Sequence, residues 1–294
     1  MSHVRIKETG EDQAVYYLVT NRVAGGRFLF KDLEKQMLKK LLFEGVDRLS
    51  YQVVDYVFMD NHFHLIVKIP PINKISDSEL LKRYRLYKND PKIDFFTDTE
   101  RVDFKVKIHD ISFIIGNFEQ RFVQWFNREH DSWGRLFGQR FDSELVEVSE
   151  HSDSLLRVMA YVTLNPVRAG IVKDPKDFHF CGYADRLANN KMGLHDDEFF
   201  DLFCHGIKAD SAKGLAGQVK QKHFLNVFRA YMLGLKSFKS ADSLRLQEFF
   251  AECDLADELH WDDIFIHKCR FFTKCLVIGS EAFIRDKLNK FAGL

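Results

Sequence analysis

The feature that most constrains this chain is a pair of apolar segments with only two residues between them. Residues 51–59 (YQVVDYVFM) and 62–69 (HFHLIVKI) are rich in β-branched and aromatic residues, and Asp60-Asn61 separates them. Such segments favour β-strands, and a two-residue connection containing Asp or Asn is typical of a tight hairpin. The two segments therefore predict neighbouring antiparallel strands.

Periodic patterns on both sides of the hairpin predict the rest of the fold. Apolar residues at helical spacing predict helices, and β-branched or alternating segments predict strands. The last helix is expected to kink or end at Asn165-Pro166, because proline lacks an N–H and disfavours helical geometry in the residue before it. The predicted order is strand 14–23, helix 30–43, the hairpin, helix 111–130, strand 143–148 and helix 152–172. This order predicts an α+β fold with a ferredoxin-like, mainly antiparallel sheet and packed helices.

Two regions fall outside this pattern. Residues 72–106 are mixed and charged and are interpreted as an insertion, with a short helix over 75–87 that Ser76 or Ser78 caps. After a polar linker near Asn189-Asn190 the sequence predicts only helices, roughly at 196–207, 212–235, 241–254 and 281–292. We therefore predict one domain over residues 1–188 and an all-helical C-terminal extension over residues 189–294.

Composition limits the classes of function. With 43 basic and 43 acidic residues the net charge is zero, which argues against coating duplex DNA through bulk charge but not against a local site. Five cysteines, no signal peptide and no zinc-knuckle spacing indicate reduced thiols, so a cytoplasmic location is expected. No apolar run approaches the roughly 18 residues of a membrane span, so no membrane partner is expected.

The His62-x-His64 pair is the first candidate for chemistry. Side chains alternate along a strand, so both imidazoles are expected on one face, about 7 Å apart at the backbone. Two imidazoles so placed can hold one divalent ion, whereas Phe63 and Leu65 on the opposite face can anchor the strand in a core. Two ordinary, partly buried histidines are the alternative interpretation of the pair taken alone.

Tyr161 and Asn165 are the second candidate. They lie four residues apart, which places them on one face of a helix about one turn apart. A tyrosine can act as a covalent nucleophile, although its phenol, with a pKa near 10, needs help from an ion or a base at neutral pH. The amide oxygen of Asn165 offers a third ligand that suits Mg²⁺ or Mn²⁺. A buried tyrosine above an Asn-Pro terminus is the alternative.

Five segments together resemble the REP-associated tyrosine transposases, a branch of the single-tyrosine HUH transposases. The resemblance spans roughly residues 14–185, with the insertion set aside, and Asp60 stands where the family usually has proline. The segments are YYLVTNRV (16–23) with the helix after it, FMDNHFHL (58–65), RFVQWFN (121–127) with WGRLFGQRF (133–141), YVTLNPVRAG (161–170) and FCGY (180–183).

This resemblance implies a metal-dependent transposase that cuts single-stranded DNA beside short hairpins and joins it again. His62, His64 and Asn165 would hold the Mg²⁺ or Mn²⁺ ion, and Tyr161 would attack phosphorus to give a 5′-phosphotyrosine and a free 3′-hydroxyl. The implied partner is single-stranded or hairpin DNA. A homodimer and a monomer both remain open.

Several further residues are predicted to support this chemistry. Trp125 and Trp133 could stack unpaired bases, although Trp125 lies on the apolar side of its helix and packing is the stronger interpretation. Asp55, Asp142 and Glu144 could orient a histidine as outer partners. The candidates for DNA contact are Arg121, Arg128, Arg135, Arg140 and Arg168, of which Arg121 and Arg128 have a solvated helix face as the alternative.

Two other functions compete with strand transfer. A non-catalytic, domesticated hairpin-DNA-binding protein would bind DNA without a covalent link. A phosphoesterase that uses water at the histidine pair would cut DNA while Tyr161 remained only structural.

Overall fold

The computed structural model describes residues 6–8, 10–149, 152, 154–188 and 276–292. Within these ranges, no helix is sufficiently long and apolar to cross a membrane. The strands are β1 (Val15–Arg22), β2 (Gln52–Phe58), β3 (His62–Ile69), β4 (Asp142–Val146) and β5 (Val277–Ile278). The helices are α1 (Asp32–Arg48), α2 (Asp77–Lys88), α3 (Asp98–Lys107), α4 (Ile111–Glu129), α5 (Ser154–Thr163), α6 (Asn165–Arg168), α7 (Gly182–Leu187) and α8 (Glu281–Ala292).

The predicted α+β fold is confirmed by the order of the strands. The sheet runs β2-β3-β1-β4-β5, so β3 lies between β1 and β2, and β1 lies between β3 and β4. Two helix-containing connections that each skip one strand form the split βαβ arrangement of a ferredoxin-like fold. β1 and β3 are antiparallel, with a register that runs from Val15↔Ile69 to Arg22↔His62.

Contacts divide the chain into two compact units, which we describe separately. The first consists of Met1–Val54 with Phe58–Leu145, and the second of Asp55–Val57 with Val146–Leu294. The predicted domain boundary at residues 188–189 stays a prediction. The predicted helices at 196–207, 212–235 and 241–254 lie outside the described residues.

An aromatic core holds the first unit together. Phe63 is fully buried, and its ring lies 5.7 Å from Phe118 of α4 and 5.8 Å from Phe137 between ring centroids. Phe30 meets Phe122 of α4 edge-on at 5.5 Å. Alternation along β3 thus directs Phe63 into the core, as predicted, and the two histidines to the opposite face. The helix that covers the Phe63 side is α4.

Helix α1 ends five residues later than the prediction of residue 43, at Arg48. Gly45 lies inside the helix, and a Cβ at this position would stand 2.1 Å from the hydroxyl oxygen of Tyr51. That hydroxyl donates a 2.6 Å hydrogen bond to the carbonyl oxygen of Leu42. Gly45 therefore leaves the space in which the buried Tyr51 ring closes the end of the helix.

The insertion contains two helices rather than one. Ser76 caps α2 as predicted, because its hydroxyl accepts from the N–H of Glu79. The sequence prediction missed α3, which begins with a capping box in which Thr97 and Glu100 satisfy each other's backbone N–H groups. The Thr-x-x-Glu spacing is the signal that predicts such a start.

In the second unit, buried polar groups connect the helices to residues 55–57. The hydroxyl of Thr163, in the last turn of α5, donates to the carboxylate of Asp55 at 3.0 Å, and the Tyr56 hydroxyl donates to Asp185 of α7.

The predicted break at Asn165-Pro166 is present, with Leu164 between α5 and α6. The predicted helix at 281–292 is confirmed as α8, whereas strand β5 was not predicted. It forms because the Glu147 N–H donates to the Ile278 carbonyl.

Candidate functional site

The two histidines of β3 lie side by side on one face of the sheet, as predicted. Their ring centroids are 5.1 Å apart and the rings are nearly perpendicular, at 87°. His64 is buried at 3% exposure, whereas His62, at the end of the strand, is half-buried. Their cross-strand partners in β1 are Thr20 opposite His64 and Arg22 opposite His62.

Asn61 sets the tautomer of His62. The side-chain N–H of Asn61 donates to the carbonyl of Gly26 at 3.0 Å, which leaves its amide oxygen facing the ring. That oxygen only accepts, so the Nδ1–H of His62 donates to it at 2.6 Å. In the neutral ring the lone pair then lies on Nε2, which is the form that binds a metal ion.

Thr20 has the corresponding place beside His64. Its hydroxyl oxygen lies 2.9 Å from Nδ1 of His64. When Nδ1 donates to this hydroxyl, the lone pair of His64 also lies on Nε2. Thr20 and Asn61 are outer partners that the sequence prediction missed. Asn61 was visible as the residue before His62, but the pairing of Thr20 follows only from the β1–β3 register.

The donor set fits a divalent ion. Two neutral imidazoles on one face suit a borderline cation, and an added amide or phosphate oxygen suits Mn²⁺ or Mg²⁺. Among the described residues, no group of three or more His, Cys, Asp or Glu is arranged to hold a metal. The amide oxygen of Asn165 is the predicted third ligand.

Tyr161 lies in α5 of the second unit and is buried, with 4% of its surface exposed. Arg168 of α6 contacts it in two ways. The guanidinium carbon lies 4.4 Å from the centroid of the phenol ring, and Nη2 donates a 2.6 Å hydrogen bond to the carbonyl oxygen of Tyr161. A cation over an aromatic face is attractive, so Arg168 fixes the ring and the backbone of the predicted nucleophile.

Asn165 begins α6, the short helix that follows Leu164. The chain continues in near-helical geometry across the break, because Leu164 N–H donates to Ala160 and Ala169 N–H donates to Asn165. Asn165 is half-exposed. Its predicted role as a metal ligand stays a prediction.

The five predicted DNA-contacting arginines have different surroundings. Arg121 forms a 2.7 Å ion pair with Glu44, which connects α4 to α1, and Arg168 contacts Tyr161. Arg128 is exposed in the last turn of α4. Arg135 and Arg140 are exposed on the loop before β4 and line one cleft with α4. Of the two tryptophans, Trp133 is 91% exposed, whereas Trp125 packs against Phe122.

The acidic residues suggested as outer partners of the histidines have other contacts. Asp55 accepts from Thr163 and from the N–H of Tyr56, so it fixes the end of α5. Glu144 is buried, and burial followed by the nearby charge of Asp142 raises the pKa of its carboxyl. Asn61 and Thr20 each lie within hydrogen-bond distance of a histidine Nδ1, and the predicted role of the acidic residues as outer partners stays a prediction.

Comparison with known proteins gives one structural likeness. No family model and no curated protein matches this chain. The chain is similar to a solved structure of a REP-associated tyrosine transposase bound to a REP hairpin. The two share 15% sequence identity with a TM-score of 0.41, over 66% of this chain and 91% of that chain. At this distance residue roles do not transfer, so the proposals below depend on this chain's own side chains.

Proposed function

We propose that this chain binds hairpin DNA and cleaves and rejoins single-stranded DNA in a metal-dependent, transposase-like reaction. The observation that carries the proposal is the pair of imidazoles 5.1 Å apart, one of which has its metal-binding tautomer set by Asn61. The proposed nucleophile is Tyr161, and the proposed holders of the ion are His62, His64 and Asn165.

A bound divalent ion would supply charge neutralisation at a phosphate oxygen. The protein's own part at this place is to orient the ligands. Asn61 holds the ring of His62 and Thr20 holds the ring of His64, in each case through Nδ1 of the imidazole. Less conformational freedom is therefore lost when the rings bind an ion.

The chemical step at Tyr161 exchanges one phosphodiester for another. The phenol oxygen forms a bond to phosphorus and loses its proton, while the bond from phosphorus to the 3′-oxygen breaks and that oxygen gains a proton. The products are a 5′-phosphotyrosine and a 3′-hydroxyl, and the reverse attack by a 3′-hydroxyl rejoins DNA without ATP. Since the exposed fraction of Tyr161 is 4%, the proposal includes an opening that exposes the phenol when DNA binds.

The test is a covalent-adduct assay. The protein is incubated with a labelled single-stranded DNA hairpin carrying 5′ and 3′ extensions, with Mn²⁺ or with a chelator, and adducts are separated on a denaturing gel. We expect an adduct that requires Mn²⁺ and is lost in Tyr161→Phe and in His62→Gln. The matched controls are Tyr87→Phe in α2 and the exposed His179→Gln, which should both retain it.

Each other outcome contradicts a defined part of the proposal. Hairpin binding without any adduct would identify a non-catalytic binding protein. Cleavage that survives Tyr161→Phe would identify a phosphoesterase that uses water. An adduct that persists with a chelator and in His62→Gln would remove the metal from the mechanism.

A further inference from the structure

A cleft of about 370 Å³ lies between α4 and the loop before β4, in the first unit. One wall is a stripe on α4 at helical spacing, Gly116, Gln120, Val123 and Gln124. The other wall is formed by the loop residues Gly134–Phe137, Gln139 and Arg140. This volume is within the range of sites that bind small molecules, about 300–1,000 Å³.

Gly116 keeps the helix side of the cleft open. Glycine in the middle of a helix costs roughly 0.5–1 kcal/mol relative to alanine. At Gly45 a packed neighbour accounts for the glycine, but a Cβ on Gly116 would meet no atom of the described residues within 4 Å. Packing within the described chain therefore gives no reason for a glycine here, which is consistent with the close approach of a ligand.

The polar groups of the cleft match a nucleotide. Within the described part of the chain, the guanidinium groups of Arg135 and Arg140 form no hydrogen bond or ion pair, and neither do the side-chain amides of Gln120 and Gln124. Glu119 is the acidic residue of the lining, and one of its oxygens accepts a 2.6 Å hydrogen bond from Asn21. Arginines bind phosphates and guanine edges, and glutamine amides pair with base edges.

The loop of the cleft is held against the end of β1. The N–H of Gly138 donates to the carbonyl of Arg22, and the N–H of Ala24 donates to Leu136. Arg22 is also the register partner of His62. The cleft is therefore fixed to the strand end that borders the histidine pair, so a DNA strand that occupies the cleft would be aligned relative to His62.

We propose that this cleft binds an unpaired base of single-stranded DNA, with Gln120 and Gln124 at the edge of the base and Arg135 and Arg140 on the neighbouring phosphates. Trp133 is 91% exposed beside the cleft residue Gly134 and offers a stacking surface for the next base. The choice of DNA as the ligand rests on the proposed function. A concave site with two arginines suits a single splayed base better than a duplex, whose binding needs many basic contacts.

Affinity for a labelled, unstructured single-stranded DNA octamer tests this proposal, measured by fluorescence anisotropy. The principal variant is Gly116→Leu, which places an apolar side chain at the cleft wall, where a Cβ has open space. Arg140→Ala removes one proposed phosphate contact, and its matched control is Arg285→Ala, which changes an exposed arginine of α8 outside the cleft. We expect Gly116→Leu and Arg140→Ala to weaken binding roughly 5- to 100-fold, and Arg285→Ala to change it less than twofold. Thermal melting should show Gly116→Leu at least as stable as the unchanged protein.

A series of octamers with one abasic site each separates base binding from general attraction. One abasic position should weaken binding to the unchanged protein and should have no further effect on Gly116→Leu. Equal affinity of Gly116→Leu and the unchanged protein would overturn the cleft proposal, even where the Tyr161 adduct forms. Absence of the adduct combined with the expected affinity losses would reject the catalytic proposal and retain the cleft as a DNA-binding site.

Discussion

Single side chains decide whether the histidine pair is ready to bind an ion. The ring of His62 is directed by Asn61, which is itself held by the carbonyl of Gly26. The ring of His64 is directed by Thr20 from the neighbouring strand. A strand places both histidine side chains on one face but does not fix how their rings are turned. These hydrogen bonds therefore set the orientation of the two rings.

Replacing Asn61 by alanine should lower the affinity for Mn²⁺ by roughly 10- to 100-fold, the usual effect of removing an outer partner of a metal-binding histidine. The change removes the acceptor that keeps the proton on Nδ1 of His62. Isothermal titration with Mn²⁺ measures it, with Asn117→Ala in α4 as the control. Equal affinity in Asn61→Ala would show that this contact does not prepare the ring.

The ionisation of Asp55 makes the free energy of unfolding depend on pH. Burial raises the pKa of its carboxyl from 3.8 to about 6. The folded protein then holds this proton to a higher pH than the unfolded chain does, so this group lowers the free energy of unfolding as pH rises from about 4 to about 6.

The variant Asp55→Asn lacks this titration. We expect the stability of the unchanged protein relative to Asp55→Asn to fall by on the order of 2 kcal/mol between pH 4 and pH 6, and to stay level above that window. Urea unfolding at several pH values measures the difference. The exposed Asp98→Asn is the control. If the unfolding free energies of the unchanged protein and Asp55→Asn differ by the same amount at every pH, the pKa of Asp55 is not raised by burial.

Individual helices and strands were largely predictable, because most of their patterns are local. The hairpin, α4 and the break before Pro166 follow from alternation, helical spacing and the missing proline N–H. The end of α1 was not predictable, since it depends on the distant ring of Tyr51 filling the space beside Gly45. Strand β5 has only two residues, and its pairing with the segment after β4 is a long-range contact.

Two glycines within helices should respond oppositely to alanine. In Gly45→Ala the new Cβ meets the buried Tyr51 hydroxyl, so we expect a loss of about 1–3 kcal/mol. In Gly116→Ala the Cβ enters open space, so the higher helix propensity should add about 0.5–1 kcal/mol. Chemical denaturation of both variants measures the contrast, and destabilisation by Gly116→Ala would show that the cleft wall is more crowded than described.

Across the whole molecule, the placement of the two histidines on one face could be predicted from the sequence, but the groups around them could not. His62, His64 and Tyr161 were visible from spacing and motifs, whereas the partners Thr20 and Asn61 and the cleft beside α4 depend on strand register and loop packing. The total charge of zero also gave no indication that Arg135 and Arg140 lie together.

This charge distribution predicts a weak salt dependence of DNA binding. Each phosphate neutralised on a single strand contributes a slope of about −0.7 to a plot of log affinity against log salt concentration. With Arg135 and Arg140 each neutralising one phosphate, we expect a slope of about −1.4 for the octamer and of about −0.7 in Arg140→Ala. A slope several times steeper would reveal a broad basic surface instead of a local site.

The proposed reaction requires a covalent bond between the phenol of Tyr161 and DNA, which peptide mass spectrometry can detect. Protein treated with the hairpin and Mn²⁺ is digested with nuclease and protease, and the peptide containing Tyr161 is examined for a phosphonucleotide. We expect the modification on Tyr161 and not on Tyr183, a buried tyrosine of α7 in the same unit. An unmodified Tyr161, or DNA attached to a different residue, would contradict the account.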